Sequence, residues 1–217
     1  MIAVLVLAAG GSRRMGRPKM LLPLPGGGTV LATVVNRLLA APVDRIVVVL
    51  GHEAAATRAG AGLPVDPRVT VLDNPDWPLG LSSSLKQGLL ACPEADALVV
   101  ALGDQPAVDP DVVRRLVEAW RKGARLAVPV RGEPGDPEPS RAGHPVLFDR
   151  SFRDELLALT GDVGARDVLR AHWDEAARID ASSLPDLDTE EDYRAFLDGR
   201  TAGGPQGLEV PGRKRDR

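Results

Sequence analysis

The sequence has little of several features that mark special classes of protein. It holds one cysteine among 217 residues, Cys92, so it has no pair for an internal disulfide and fits a reducing compartment. Aromatic residues make up 3% of the chain, so valine, leucine and alanine must build most of the core. The net charge of −3 gives no basic excess for nucleic acid. No run approaches the ~20 apolar residues of a transmembrane helix. We therefore expect a cytoplasmic protein that binds neither nucleic acid nor membrane.

Short apolar runs alternate with helical patterns through the first part of the chain. The predicted strands are residues 2–8, 45–51, 68–73 and 97–103, and the predicted helices are 30–39, 82–91 and 110–122. The strand runs are apolar on both faces, as in parallel strands covered by helices on each side. The alternation predicts an α/β, Rossmann-like fold with three α/β/α layers and a mostly parallel sheet.

The pattern loosens after residue 122. Further strands are predicted at 125–130 and 144–148, further helices at about 150–158, 164–173 and 189–198, and a surface loop rich in Pro, Gly and charge at 131–143. We expect one domain over residues 1–198. The tail, 199–217, is Gly/Pro-rich and then basic, which predicts disorder.

The segment LAAGGSRRMGRPKMLLPL follows directly from the first predicted strand, at 7–24. Gly11 and Gly16 have the spacing of a Walker phosphate loop, but Arg17 and Pro18 stand where that motif has Lys and Ser or Thr. The segment is therefore similar to a Walker loop without being one.

The chemistry of this segment still suits a phosphate chain. Glycine-rich turns at the carboxyl ends of strands are where α/β sheets bind ligands. Gly10 and Gly11 leave backbone amides open to close approach, and Ser12 adds a hydroxyl. Arg14 and Lys19 can neutralise phosphate charge. The alternative is an ordinary strand-to-helix turn with basic residues on its surface.

The same segment resembles the signature L-A-[AG]-G-x-[SG]-x-R-M-G-x-P-K of the MobA-like nucleotidyltransferases. Three further stretches resemble that family: N-x-x-W-x-x-G-[LM]-x-x-S at 74–84, Gly-Asp-Gln-Pro at 103–106, and its D-T-P-E-D motif at 188–192, where Glu190 replaces the usual proline. The alanine at Ala9, the Gly-Asp-Gln-Pro stretch, and the G-H-P and G-D-x-G-A-R stretches near His144 and Asp162 are most similar to the molybdenum cofactor cytidylyltransferase branch. The resemblance implies a GT-A-type, Rossmann-like fold.

The resemblance also implies a reaction, a metal and a set of site residues. The reaction is transfer of CMP from CTP to the terminal phosphate of molybdopterin, with Mg²⁺ as cofactor and pyrophosphate as leaving group. A molybdoenzyme or a maturation chaperone is implied as a further partner. The implied nucleotide-binding residues are Leu7, Ala8, Ala9, Gly10, Gly11, Ser12, Arg14, Lys19, Asn74, Gly80, Ser82 and Ser84. The implied catalytic residues are Arg14, Lys19 and Asp104, the metal ligands Asp104 and Asp188, and the acceptor-binding residues Gln105, His144, Asp162 and Arg166.

Several of these residues also have plainer interpretations. Asp104 follows a predicted buried strand and offers the hard oxygen ligand that Mg²⁺ prefers, but an aspartate there can also form a turn. Asp188 either reaches the same metal or, with Thr189, caps the last helix. Ser82 and Ser84 either contact a ligand or cap their own helix.

Other functions stay open at the level of sequence. The chain could transfer GMP, or act on a sugar or polyol phosphate. It could also bind a nucleotide or cofactor and deliver it without catalysis. A dinucleotide-binding dehydrogenase fits poorly, because no G-x-G-x-x-G follows the first predicted strand.

Overall fold

Seven strands form a single sheet in the order β3-β2-β1-β4-β6-β5-β7. The computed structural model describes residues 1–11, 15–130, 142–181 and 187–199. The strands are β1 (Ile2–Ala8), β2 (Arg45–Leu50), β3 (Val69–Asp73), β4 (Ala97–Leu102), β5 (Leu126–Val130), β6 (Val146–Asp149) and β7 (Ala177–Asp180). The helices are α1 (Val30–Leu39), α2 (Ala54–Gly60), α3 (Leu81–Leu90), α4 (Pro110–Arg121), α5 (Arg153–Ala158), α6 (Ala165–Ala171) and α7 (Glu190–Leu197).

All the strand pairings are parallel except those of β6, which runs antiparallel to β4 and β5. Strand β1 lies between β2 and β4 and pairs with both, since Val4 pairs with Ile46 on β2 and with Val99 on β4. The carboxyl ends of β1, β2, β3 and β4 therefore lie together at one edge of the sheet. The prediction of a mostly parallel, three-layer α/β/α fold is confirmed.

The alternation of side chains along β1 divides the core into two layers. Val4 and Val6 point into a cluster with α1 and α4. Leu5 and Leu7 point into a second cluster with α3, α5 and α6. Every residue of β1 is buried, which explains why this strand is apolar throughout instead of alternating with polar residues.

Two elements of the fold were not predicted, and two helices are shorter than expected. Helix α2 contributes one buried side chain, Thr57, so its sequence has no apolar stripe. Strand β7 lies at the edge of the sheet, where its first three residues are partly buried and its last is exposed. The predicted helix at 150–158 begins with a 3₁₀ turn, Arg150–Phe152, and α6 spans less than the predicted 164–173.

Parts of two other predictions fall outside the described residues. These are positions 131–141 of the predicted surface loop and positions 200–217 of the predicted tail. The extent of the domain, 1–198, stays a prediction. In the part of the chain that the structure describes, none of the helices has the length and apolar character to span a membrane.

Helix α7 packs across the segment that follows the glycine turn. Leu22 and Leu24 lie in one apolar cluster with Leu187, Tyr193 and Phe196. The hydroxyl of Tyr193 donates a hydrogen bond to the carbonyl of the proline between the two leucines. Helix α7 therefore holds the segment from Leu22 to Leu24 in place.

The start of α7 is held by polar contacts. Thr189 Oγ1 accepts the backbone N–H of Asp192 at 3.1 Å, and the Asp192 carboxylate accepts the N–H of Thr189 at 2.8 Å. This reciprocal pair is a capping box, so Thr189 rather than Asp188 caps the helix. Glu190, in the first turn, pairs with Arg17 of the signature segment at 2.6 Å.

Candidate functional site

A cavity of about 690 Å³ opens at the carboxyl edge of the sheet. It lies where the turns after β1 and β4 face the start of α3, as expected for a ligand site in an α/β sheet. Its walls are Leu7, Ala9, Gly10, Gly11, Lys19, Met20, Trp77, Pro78, Leu79, Gly80, Leu81, Ser84, Leu102, Asp104 and Asp162. Several of the predicted site residues, from four separate stretches of sequence, therefore share one cavity.

Lys19 joins the two predicted metal ligands. Its ammonium donates to the carboxylate of Asp104 and, at 3.2 Å, to Oδ1 of Asp188. The Lys19 and Asp104 side chains are 12% and 13% exposed, and that of Asp188 is 31% exposed. Burial by itself lowers the pKa of Lys19, but the attraction and hydrogen bonds of both carboxylates outweigh it and raise that pKa above its ordinary value. Lys19 is therefore charged at neutral pH.

The glycine turn after β1 packs against the turn after β2. A Cβ on Gly51 would lie 2.6 Å from the Cβ atoms of both Ala9 and Trp77, so only glycine fits. The backbone N–H of His52 donates to the carbonyl of Ala9 at 3.2 Å. These contacts fix the turn while Ala9 and the two glycines after it line the cavity.

The other predicted residues of this turn have different positions. Leu7 lines the cavity, whereas the side chain of Ala8 lies in the apolar core beneath it. Ser12 and Arg14 lie outside the described residues. Their predicted roles, and the roles of all the other site residues, stay predictions.

Asn74 builds the turn that leads into α3. Its side-chain amide donates to the hydroxyls of Ser83 and Ser84 at 2.9 and 3.0 Å, and its Oδ1 accepts the backbone N–H of Asp76 at 3.0 Å. Asn74 is 1% exposed and Ser84 2% exposed. The geometry makes Asn74 a support for the cavity wall, whereas Ser84 both accepts from Asn74 and lines the cavity.

The loop before α6 packs against the start of α3. Gly80 has a φ of 107°, and a Cβ there would lie 2.3 Å from the backbone of Gly161. The backbone N–H and the hydroxyl of Ser82 both donate to the carbonyl of Gly161, at 3.2 and 2.8 Å. Ser82 therefore ties two loops together, and the next residue after Gly161, Asp162, reaches the cavity.

The remaining predicted acceptor residues are set back from this cavity. Gln105 is 5% exposed, and among the described residues the walls include neither it nor His144 nor Arg166. Burial and the neighbouring charge of Arg166 lower the pKa of His144 to about 4, so its imidazole is neutral at neutral pH. Arg166 donates to the carbonyl of Ala142 at 3.0 Å. The His144–Pro145 peptide is cis.

The donor set fits a hard divalent cation that shares its ligands with substrate. Asp104 and Asp188 reach the same ammonium, so their carboxylates converge on one point beside the glycine turn. Among the described residues, no group of three or more acidic, histidine or cysteine side chains forms a metal site. Mg²⁺ is commonly held by one or two carboxylates and completes its shell with phosphate oxygens and water.

An apolar wall of the cavity was missed at the level of sequence. It is formed by Trp77, Pro78, Leu79 and Leu81, which flank Gly80. Leu79 and Leu81 are 67% and 38% exposed, which is unusual for large apolar side chains. A signal was present, because these residues interrupt a polar turn just before a helix.

Comparisons with known proteins agree with this geometry. Residues 4–176 match the family model of the MobA-like NTP transferase domain. A nicotine blue oxidoreductase from Paenarthrobacter nicotinovorans is 36% identical over 197 residues, covering 88% of this chain and 94% of that protein. The molybdenum cofactor cytidylyltransferase of Escherichia coli is 28% identical over 199 residues, covering 88% and 93%.

Solved structures show the same fold. A nucleotidyl transferase from Methanothermobacter thermautotroptrophicus superposes with a TM-score of 0.77 at 31% identity, covering 92% of this chain and 97% of that chain. A Mycobacterium tuberculosis protein solved as a complex with manganese superposes with a TM-score of 0.72 at 30% identity, covering 91% and 98%.

Proposed function

The chain belongs to the MobA-like NTP transferase family, and within that family we propose that it transfers CMP from CTP to the terminal phosphate of molybdopterin, in the cytoplasm. The observation that carries this proposal is that Lys19 and Asp104 line a cavity together with the glycine turn, while Asp188 reaches the same Lys19 ammonium. The choice of CTP and of molybdopterin rests on the branch-specific motifs and on the similarity to the Escherichia coli enzyme.

The proposed reaction needs no strong general base. An oxygen of the acceptor phosphate, already anionic, attacks the α-phosphorus of CTP. The bond from that phosphorus to the bridging oxygen of the β-phosphate breaks, and pyrophosphate leaves with both electrons of that bond. Catalysis therefore rests on positioning the two phosphates and on neutralising their charge.

The residues of the chain divide this work between them. The backbone amides of Gly10 and Gly11 and the ammonium of Lys19 bind the triphosphate, and Asp104 and Asp188 would hold Mg²⁺. When bound, Mg²⁺ supplies positive charge to the phosphate oxygens. Ser84 and the backbone beside Gly80 face the base and ribose, supported from behind by Asn74.

The acceptor binds on the side of the cavity formed by the loop before α6. Asp162 lines the cavity, and Arg166 is close enough to His144 for its charge to act on that imidazole. We place Gln105, His144 and Arg166 in the acceptor site on the strength of the motifs. The positive charge of Arg166 suits a terminal phosphate, and the neutral imidazole of His144 can donate or accept a hydrogen bond. A molybdoenzyme or a maturation chaperone would then receive the product.

The decisive test is a matrix of the four nucleoside triphosphates against molybdopterin and a panel of sugar and polyol phosphates, with pyrophosphate release as the readout. We expect release with CTP, molybdopterin and Mg²⁺ together. Release with GTP but not CTP, or with a sugar phosphate but not molybdopterin, would contradict the proposed specificity. Nucleotide binding without any release would favour a delivery module.

The same assay tests the proposed role of Asp104. Asp104→Ala should lower turnover about a hundredfold or more, because a group that binds charge in the transition state is lost. Asp154→Ala is the matched control, since Asp154 is an exposed aspartate in the first turn of α5. Near-normal turnover in Asp104→Ala would remove Asp104 from the mechanism.

A second candidate function is oxidation or reduction of nicotine blue or a similar compound. The observation that favours it is the 36% identity to a nicotine blue oxidoreductase over most of both chains. The apolar wall with Trp77 suits a flat ligand of this kind. Consumption of NADH or NADPH in the presence of nicotine blue, without nucleoside triphosphate, would establish this activity.

A further inference from the structure

The strongest unexplained feature of the site is that one ammonium sits between two carboxylates. We propose that Lys19 is a placeholder cation: it holds the Asp104 and Asp188 carboxylates together and keeps a free divalent cation out until a triphosphate draws the lysine away. This inference rests on the metal site of the proposed function and adds an order of binding, with the metal entering together with the nucleotide.

The contacts show why metal and lysine compete. Oδ1 of Asp188 and the carboxylate of Asp104 are both turned towards the Lys19 ammonium, and these are the oxygens that a divalent cation would use. The Lys19 and Asp104 side chains are nearly buried, so water screens their charges weakly. A divalent cation at the same carboxylates would be repelled by the ammonium at short range. One of the two cations must therefore leave.

The backbone that carries the two carboxylates is tied in place, and each carboxylate stands on a short side chain. The backbone N–H of Leu187 donates to the carbonyl of Asp104 at 3.2 Å, which ties the segment before α7 to the turn after β4. Asp188 is further held by the capped start of α7. Lys19, in contrast, reaches the site on a flexible four-carbon stem. The lysine is thus the partner that can move.

The cavity offers the lysine a second anion. Lys19 lines the same space as Gly10 and Gly11, whose backbone amides are suited to a phosphate chain. A triphosphate there would compete with the carboxylates for the ammonium and at the same time supply oxygen ligands to the metal. Binding of metal and nucleotide is then positively coupled, and the coupling must be equal in both directions.

The test measures Mn²⁺ binding to the nucleotide-free protein by calorimetry or by the paramagnetic resonance of free Mn²⁺. Wild-type protein should bind Mn²⁺ weakly. Lys19→Met removes the ammonium while keeping the length of the side chain, and it should bind Mn²⁺ roughly tenfold more tightly or better, because two carboxylates lose their competing cation. Lys19→Arg keeps the charge and should stay as weak as wild type.

Two further variants locate the effect. Lys122→Met removes an exposed lysine at the end of α4, at the opposite edge of the sheet, and should leave Mn²⁺ affinity unchanged. Lys19→Met combined with Asp188→Asn should lose the gained affinity, because one of the two carboxylates is neutralised. Thermal unfolding of each variant establishes that it is folded before its affinity is read.

The outcomes separate this inference from the proposed function. If Lys19→Met binds Mn²⁺ no more tightly than wild type, or if Lys19→Arg gains as much as Lys19→Met, the placeholder role is wrong. The measurement contains neither CTP nor an acceptor. Tight Mn²⁺ binding by Lys19→Met would therefore support the inference even if wild-type protein released no pyrophosphate with any substrate pair.

Discussion

The sheet divides into two sets of strands that differ in direction. The first set is β3-β2-β1-β4 and the second is β6-β5-β7, and they meet where β4 pairs with β6. The first set is wholly parallel, and its turns bring the glycine turn, Asn74 and Asp104 to one edge of the sheet. The second set contains the reversed strand β6, with His144 just before it, and the loop and helix α6 that follow α5 bring Asp162 and Arg166. The first set therefore presents the backbone amides of the glycine turn, the supporting amide of Asn74 and one carboxylate, whereas all three predicted residues on the side of the second set are titratable side chains.

Under the proposed function, the difference shows how one sheet could serve two substrates. A phosphate chain of constant shape suits a wall of backbone amides, because such a wall does not depend on side-chain identity. An acceptor that differs between family members suits side chains on loops, which can change without disturbing the strands. The loop before α3 and the loop before α6 touch where Gly80 contacts Gly161, and we call this contact the joint.

The largest expected effect breaks this joint. Gly80→Ala would place a methyl group 2.3 Å from the Gly161 backbone, at a φ of 107°. We expect the free energy of unfolding to fall by about 3–5 kcal/mol, from backbone strain and overpacking together. Chemical denaturation measures this change.

A matched glycine separates the two causes. Gly123 has a φ of 101° but open space around its Cβ position, so Gly123→Ala contains the strain without the collision. It should cost about 1–3 kcal/mol. If the two variants lost the same free energy of unfolding, the close approach of Gly80 to Gly161 would add no cost beyond backbone strain.

The second expected effect is a dependence of stability on pH that comes from His144, on the side of the second strand set. The pKa of His144 is lowered to about 4 in the folded protein, below its ordinary 6.5. Between these values the unfolded chain binds the proton and the folded chain does not, so stability falls as the pH falls through this range. We expect His144 to contribute a loss of at most about 2 kcal/mol between pH 7 and pH 5. Urea unfolding of His144→Gln at both pH values should show a smaller loss than wild type.

His172 supplies a control of opposite sign. Hydrogen bonds from its imidazole to the carboxylates of Glu175 and Glu155 raise the pKa of His172 above the ordinary value, so its stabilising contribution is present at low pH and is lost as the pH rises. His172→Gln should therefore steepen the loss of stability on acidification. If both substitutions changed the slope in the same direction, the assigned environments would be wrong.

The smallest expected effect concerns helix α7, which belongs to neither strand set and packs against the signature segment. Tyr193→Phe removes the hydrogen bond to the Pro23 carbonyl and keeps the ring in its apolar cluster. We expect a loss of about 1 kcal/mol in the free energy of unfolding. Thr33→Val is a control for losing a hydroxyl elsewhere. It removes the 2.8 Å hydrogen bond that the Thr33 hydroxyl donates to the carbonyl of Thr29 at the start of α1. An unchanged stability for Tyr193→Phe would mean that the bond contributes nothing net.

The sequence predicted the first strand set better than the second for a physical reason. Strands such as β1 and β2 are covered on both faces, so their runs of Val, Ile and Leu stand out from the turns around them. Strand β7, Ala177–Asp180, lies at the sheet edge and mixes polar with apolar residues. Helix α2 buries one side chain and gives no helical period. The sequence pattern that marks a strand or helix comes from buried apolar side chains, and β7 and α2 bury few of them.

The candidate site was predictable where a motif marks it. The signature segment and Asp104 are brought together with Asp188 as the resemblance implies, although no spacing along the chain connects them. The contact of Ser82 with the loop before α6 was not predictable, because it joins residues 79 positions apart. The apolar wall beside Gly80 left a signal, apolar residues within a polar turn, but that signal does not identify a binding wall until the cavity next to it is seen.

The packing of α7 on the signature segment has a consequence for the newly made chain. Lys19 is synthesised more than a hundred and sixty residues before Asp188, Tyr193 and Phe196. Proteins begin to fold as they emerge from the ribosome, amino-terminal parts first. The parallel strands can pair while synthesis continues, but Lys19 has Asp104 without Asp188 until α7 emerges. The site is thus completed only after α7 has been made, and a ribosome-bound intermediate that ends before α7 would carry the sheet without the complete site.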